Sequence, residues 1–404
     1  MTLIEFYDKA RIENIAGALL ARADNLILVG DQKKSMDKSK PVYEQLLLDR
    51  GIKTNVCCVA VNKNNLQNII ERLAEVIEKN DDCILDLTGG DDLFLVAAGV
   101  LIERYGERVK CHRFNLKNST VSDCDADGNT VCVDSFDVSI EENIRLYGGE
   151  ITEEGFDFVF DEDFCNDVRA IWNISRENQR YWNFCSITIC DILKNYNRAG
   201  GLCVSYSPHE VTEKLRAAGG NYGLSKSFLE ALEKSGLIYS LKYGEDVFFT
   251  FKNEAVKDVI STPGKMLEVA VAAKLSEIRD KEGKPLYNDI KVGVAIDWSA
   301  DDGDESPTIN EIDVLAMKDA VPIFISCKSG TFDANELYKL KTVATRFGEK
   351  YAKCVIVFTS PESLKGNLEY IRGRADDMGI RRIENPDAMS DAEFERVLRS
   401  VYLN

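Results

Sequence analysis

The chain has 404 residues, 45% of them hydrophobic and 29% charged, and its 50 Lys plus Arg against 68 Asp plus Glu leave a net charge of -18. That length exceeds one typical domain of ~100 to 200 residues, and the balance excludes a low-complexity or disordered chain, so two or three packed domains are expected. The acidity argues against a general electrostatic grip on nucleic acid, although residues 263 to 404 carry only -5 of it (20 Lys plus Arg, 25 Asp plus Glu) and the other segments carry -13.

Met1 to Ala10 lacks the basic flank and apolar stretch of a secretory signal, and no apolar run approaches the ~20 residues that span a bilayer. A cytoplasmic protein with no membrane partner is expected. Twelve cysteines but only two histidines, His112 and His209, and no Cys-x-x-Cys pair make a zinc centre a poor expectation. Cysteines inside apolar runs, such as Cys57, Cys58, Cys83 and Cys354, read as small buried hydrophobes, reduced as in the cytoplasm.

In chain order, residues 26 to 115 alternate β-rich runs with amphipathic helical stretches. Strands are expected at Leu26 to Val29, Asn55 to Val61, Cys83 to Leu87 and Val109 to Phe114, and helices near Val42 to Asp49, Asn65 to Lys79 and Asp92 to Tyr105. Right-handed crossovers lay such strands into a Rossmann-like parallel sheet with helices on both faces. A hairpin turn follows at Asp125 to Asn129, through Asp127-Gly128, and the first domain is expected to end at Tyr147.

The middle stretch, 148 to 262, reads as a helical connector. A helix at Ser225 to Ser235, stopped by Gly236, precedes a hairpin of Leu237 to Leu241 and Val247 to Phe251, a winged-helix pattern. Lys226 and Lys234 on that helix are balanced by Glu230 and Glu233, which leaves no positive face for a phosphate backbone. From 263 to 404 the order αβββαβ is expected: a helix through Glu268, strands at Ile290 to Asp297, Ile309 to Met317 and Val321 to Cys327, a helix at Asn335 to Gly348 and a strand at Cys354 to Thr359. Ser299 to Pro307 reads as an exposed acidic connection. The fold class is thus α/β throughout.

Period-two alternation puts Glu311, Asp313 and Leu315 on one face of their strand and Ile312 and Val314 on the other, while Ser326 and Lys328 share a face of the next strand. Carboxylates inside apolar strands are unfavourable to bury unless paired or metal-bound, so either a plain Asp313–Lys328 salt bridge or a catalytic grouping is expected. Mg²⁺ or Mn²⁺ takes oxygen ligands and keeps several waters, and a nearby ammonium can stabilise charge on a phosphate.

These residues resemble the P-D-(D/E)-x-K, restriction-endonuclease-like nucleases over about 263 to 360. The resemblance implies Glu268, Asp313 and Lys328 as the catalytic set, with Ser326 where the pattern has a carboxylate. A serine is a weak metal ligand, so Asp297, Glu311 or Glu336 is left to complete the metal set with Glu268 and Asp313. The basic cluster of Arg372, Arg374, Arg381 and Arg382 either meets a substrate backbone or is simply solvated.

In the first domain, two strand ends run into loops suited to polar ligands: Gly30-Asp31-Gln32 with Ser35, and Thr88-Gly89-Gly90-Asp91. Carboxyl ends of strands are where doubly wound sheets bind ligands, although Gly89-Gly90 would also serve a plain tight turn. No Gly-x-Gly-x-x-Gly occurs. These loops resemble the CRISPR-associated Rossmann-fold (CARF) sensor domain over about 1 to 147.

A CARF sensor followed by such a nuclease resembles the cyclic-oligoadenylate-activated endonucleases of type III CRISPR defence. The resemblance implies a homodimer activated by cyclic tetra-adenylate, bound by Gly30, Asp31, Gln32, Ser35, Thr88, Gly89, Gly90 and Asp91, and cutting DNA with RNA as a second substrate class. The alternative is a ligand-responsive CARF and winged-helix transcription regulator with a degenerate nuclease, which Ser326 favours. Whether the sensor degrades its own ligand stays open.

Overall fold

The computed structural model describes the chain except residues 117–119, 124–129, 133–135, 157, 178, 218–223, 299–308, 360–363, 365–366 and 404. The expected turn at Asp125 to Asn129 and the connection Ser299 to Pro307 lie outside the described residues.

The first sheet is built from β1 (Thr2–Phe6), β2 (Asn25–Gly30), β3 (Asn55–Ala60), β4 (Cys83–Asp86), β5 (Val109–Asn115), β6 (Thr120–Asp123) and β7 (Thr130–Cys132), in the order β3-β2-β1-β4-β5-β6-β7. The first five are parallel and the last two antiparallel. Helices α1 (Glu13–Ala21), α2 (Lys33–Asp49), α3 (Leu66–Glu78) and α4 (Asp92–Tyr105) are the crossovers, and α5 (Ile140–Leu146) closes the unit under a Ser139/Glu142 capping box. The central strand β1 was not expected from the sequence. It is a short, wholly buried Thr-Leu-Ile-Glu-Phe run whose Glu5 interrupts the apolar pattern. Because the chain leaves β1 for β2 and β3 on one side and β4 and β5 on the other, the switch point lies between β1 and β4.

The middle region holds α6 (Glu162–Glu177), α7 (Gln179–Asn195), β9 (Cys203–Tyr206), α8 (Pro208–Ala217), α9 (Lys226–Lys234), β10 (Ile238–Tyr243), β11 (Val247–Phe251) and α10 (Glu254–Ser261), preceded by β8 (Glu150–Phe156). Strands pair as β10-β11-β9 beside α9, the expected helix and hairpin, with Gly236 at φ +71 ending the helix. β8 does not belong to this region. It pairs with β12 as the edge of the C-terminal sheet, so the stretch from 148 to 262 is not a free-standing connector.

The C-terminal region follows as α11 (Lys265–Glu277), β12 (Asp289–Asp297), β13 (Ile309–Lys318), β14 (Val321–Lys328), α12 (Asn335–Gly348), β15 (Lys353–Phe358), α13 (Leu368–Asp377), β16 (Ile380–Glu384) and α14 (Asp391–Arg399). Its sheet runs β16-β15-β14-β13-β12-β8, parallel across β14, β15 and β16 and antiparallel elsewhere.

The apolar cores show how these parts are stacked. One lies under α3 and α4 on the outer face of the first sheet. A second is continuous between the two sheets: Leu3, Leu26 and Leu28 of the first share it with Val294, Phe324 and Ile356 of the other, through α1, α2, α5, α12 and α13. The third joins the opposite face of the C-terminal sheet to α11 and the whole middle region. Polar contacts reinforce the seam between the sheets, among them Asn143 Nδ2 donating to Phe347 O (2.8 Å) and the Ile140 amide to Asp289 Oδ2 (2.7 Å).

Candidate functional site

β13 and β14 are paired from Lys318↔Val321 to Val314↔Ile325, and there the ladder stops. Asp313, the next residue, turns its carboxylate onto the freed end of β14: Oδ2 accepts from Ser326 Oγ (3.0 Å), the Cys327 amide (2.6 Å) and Lys328 Nζ (3.3 Å). A carboxylate accepting three donors through one oxygen is held rigidly, and Oδ1 takes no hydrogen bond from any described residue. Gly293, at φ +68, stands opposite it on β12, between the pairs Val292↔Val314 and Val294↔Ile312. The twist there corrects the simple alternation: Ile312 packs between the two sheets and Val314 packs toward α11.

Lys328 also pairs with Glu336 Oε2 (3.1 Å) from the first turn of α12, and Lys339 holds the other Glu336 oxygen (2.9 Å). Burial would lower the Lys328 pKa, but Asp313 and Glu336 outweigh it and hold the ammonium above its usual range. Burial would raise Glu336, and its bonds to Lys339 and Lys328 bring it below the ordinary carboxylate value instead. These groups line one cleft together with Asn310, Glu311 and Ser326.

Glu268 arrives from α11. Its side chain is 13% exposed, and Oε2 accepts from the buried Lys265 at 2.6 Å. Burial pushes its carboxyl up to about 7; Lys265 opposes the shift, and the Asp313 and Glu311 charges add to it. Cys327 is buried, and burial first, then the Asp313 and Glu268 carboxylates, raises its thiol well above the ordinary range.

The sequence-expected residues therefore separate into groups. Asp313, Ser326, Lys328, Glu311 and Glu336 share the cleft, and Glu268 reaches Asp313 through its charge from the α11 side. Asp297 does not line the cleft; the register places it at the far end of β12, opposite Ile309 and Glu150. Ser326 Oγ donates to Asp313 and fixes it, and as a neutral hydroxyl it brings no negative charge to a cation. Among the described residues, no group of three or more His, Cys, Asp or Glu is close enough to hold a metal as a ready-made cage. The donors left over, Asp313 Oδ1 and the second Glu268 oxygen, suit a hard cation that keeps most of its waters, as Mg²⁺ does.

Lys265 was not singled out from the sequence, although its position three residues before Glu268 on a helix was the available signal. The four arginines are not a free basic patch: Arg372 pairs with Glu369 and Glu384, Arg374 with Asp377, and Arg382 with Asp376 and Glu384, while Arg381 donates to Ser400.

In the first domain the expected loops meet at the switch point. Gly89 passes so close to β1 that an added Cβ would stand 2.6 Å from Phe6 O, and Gly90, at φ +94, would meet Phe6 Cβ at 2.7 Å. Close packing alone thus demands both glycines. Lys63 bridges the two loops, 3.3 Å from Asp31 and 3.8 Å from Asp91, and Tyr7 OH bonds Ser35 Oγ at 2.8 Å. Gln32 is the N-cap of α2 and is exposed. Tyr7 and Lys63 were missed, yet both follow strand ends at the same edge. Beneath the second loop, Asp86 is buried and accepts from the Thr88 amide (2.8 Å) and the Thr88 hydroxyl, and it lies 3.0 Å from His112 Nε2.

Two solved structures share this architecture along the whole chain. Protein VC1899 from Vibrio cholerae matches at TM-score 0.76 and 18% identity, covering 100% of this chain and 98% of that one. Can2 from Sulfobacillus thermosulfidooxidans, solved in complex with cyclic tetra-adenylate, matches at TM-score 0.66 and 14% identity, covering 99% of each chain. No family model and no curated protein sequence matches. At these identities the likeness is one of fold.

Proposed function

We propose that this protein is a nuclease of type III CRISPR defence, switched on by a cyclic oligoadenylate and dependent on Mg²⁺ or Mn²⁺. The observation that carries the reading is the Asp313 carboxylate, fixed at the parted end of β13 and β14 beside Lys328, with Glu268 behind it. The effector, cyclic tetra-adenylate, is suggested by the whole-length likeness to Can2, which was solved with it. Binding across a homodimer of the first domain, at Gly30 to Ser35 and Thr88 to Asp91, would change the orientation of the subunits and with it access to the cleft.

The metal would be held by Asp313 Oδ1 and the second Glu268 oxygen, with waters filling the rest of its shell, and would supply Lewis-acid charge for the scissile phosphate and an acidified water. Asp313 stays oriented because Ser326, the Cys327 amide and Lys328 converge on one oxygen. Lys328, kept protonated, provides positive charge where the phosphodiester gains negative charge in the transition state. Glu336 steadies that ammonium from α12 and stands at the cleft where Ser326 offers no carboxylate. DNA is the proposed substrate, with RNA second.

Plasmid and labelled RNA incubated with Mg²⁺ or Mn²⁺ test the reading: cleavage that requires cyclic tetra-adenylate and stops with a chelator is the expected result. Intact substrates under every combination would sink it. A transcription regulator is the second reading, favoured by the helix and hairpin of α9, β10 and β11. Against it, Lys226 on α9 is paired with Glu230 of the same helix at 3.5 Å. A protected promoter site in footprinting would promote it.

A further inference from the structure

At the carboxyl edge of the first sheet, on the side that faces the C-terminal region, lies a polar cavity of about 340 Å³. Its described lining is Glu13, Thr88, Arg113, Phe114 and Asn115 from the first domain and Lys350 and Tyr351 from the turn after α12. The volume falls within the ~300 to 1,000 Å³ typical of small-molecule sites. Thr88 belongs to the loop already assigned to the effector, so the cavity continues that edge and adds a wall from the other domain.

The charges in it favour an anion. Glu13 is buried and held by Lys350 Nζ (2.8 Å) and by Tyr351 OH, so its carboxylate is matched within the wall. One of the three Lys350 donors is used there, and the side chain is 54% exposed. Arg113 is exposed, and its guanidinium pairs with no described residue. A guanidinium that pairs with no described residue and a partly free ammonium around one cavity suit a phosphate.

We propose that this cavity binds a phosphate of the oligoadenylate effector, so that Lys350 and Arg113 bring the C-terminal domain into direct contact with the ligand. The inference rests on the proposed effector and extends it. Lys350 and Tyr351 directly follow the helix whose first turn carries Glu336, the partner of Lys328, about 20 Å away at 1.5 Å per residue. A phosphate that draws Lys350 from Glu13 therefore acts on one end of α12 while the cleft sits at the other.

Calorimetric titration with cyclic tetra-adenylate, together with the cleavage rate, tests this on wild type, Arg113→Ala, Lys350→Ala and the control Arg108→Ala, each with a melting curve to check folding. Arg113→Ala and Lys350→Ala are expected to bind at least about tenfold more weakly, a single lost charge-assisted bond, while Arg108→Ala binds as wild type. Wild-type affinity in both cavity variants overturns the subsite and leaves the effector reading intact. Should Lys350→Ala fail to fold, the exposed Arg113 decides alone. A wild type that binds no cyclic tetra-adenylate removes the effector reading and the subsite with it.

Discussion

Lys328 and Glu268 are the two side chains whose chemistry is most exposed to test. Lys328 sits 3.3 Å from Asp313 and 3.1 Å from Glu336, so Lys328→Ala removes the only ammonium that touches Asp313 among the described residues. Loss of one such transition-state donor typically costs ~10² to 10³ in rate, and effector binding should survive the change. Glu268 titrates near 7, pushed up first by burial. A metal ligand must be ionised, so the metal-dependent rate should rise as pH passes from 6 to 8, and a profile that falls over that range would contradict the assignment. The strand alternation made Asp313 and Lys328 legible in the sequence. The roles of Ser326 and Glu336 were not, because one depends on where the β13–β14 ladder ends and the other on a helix that folds back eight residues after Lys328.

Glu5 makes a separate prediction at this scale. It is wholly buried in β1, neither carboxylate oxygen has a hydrogen-bond partner among the described residues, and burial, then the neighbouring Asp86 charge, raises its pKa well above the ordinary value. A raised acid gives the folded state its full stability below the unfolded pKa and loses it as pH rises toward the folded pKa. The melting temperature of Glu5→Gln should therefore decline less than that of wild type between pH 5 and pH 8. Parallel declines would show that the charge is compensated elsewhere.

Among the elements, β1 and α12 do most to position function. β1 escaped the sequence reading because one Glu in a five-residue run disguises a buried parallel strand, yet its carboxyl end with that of β4 forms the switch point. The strands of 26 to 115 were legible as short β-rich runs between helical stretches, although α2 begins at Lys33 rather than near Val42, with Pro41 inside it, and the α9 hairpin was legible because Gly236 and the Tyr243 to Asp246 turn punctuate it. β8 was missed, its residues read as the start of a helical connector, because pairing across more than a hundred residues leaves no local signal. Where α12 ends, Gly149 packs on Phe347: an added Cβ would stand 2.5 Å from the ring and 3.1 Å from Asp297 O. Gly149→Ala should cost about 1 to 3 kcal/mol in denaturant unfolding, and an unchanged midpoint would mean that the ring moves freely.

Across the whole molecule, the core between the two sheets runs without a break from Leu3 to Phe358, so the N-terminal and C-terminal regions share buried surface rather than a hinge. Calorimetric unfolding should show one transition; two well-separated ones would mean that the seam is weak. Under the proposed function, an effector signal would then pass by one subunit moving against another or through α12, not by bending at a linker. The most direct test of the account is the initial rate of plasmid cleavage, with Mg²⁺ or Mn²⁺, across a titration of cyclic tetra-adenylate for wild type and Lys328→Ala. Wild type should show a saturable rise in rate and the variant none at equal effector binding; cleavage that ignores the effector, or survives the loss of Lys328, would overturn the proposed function.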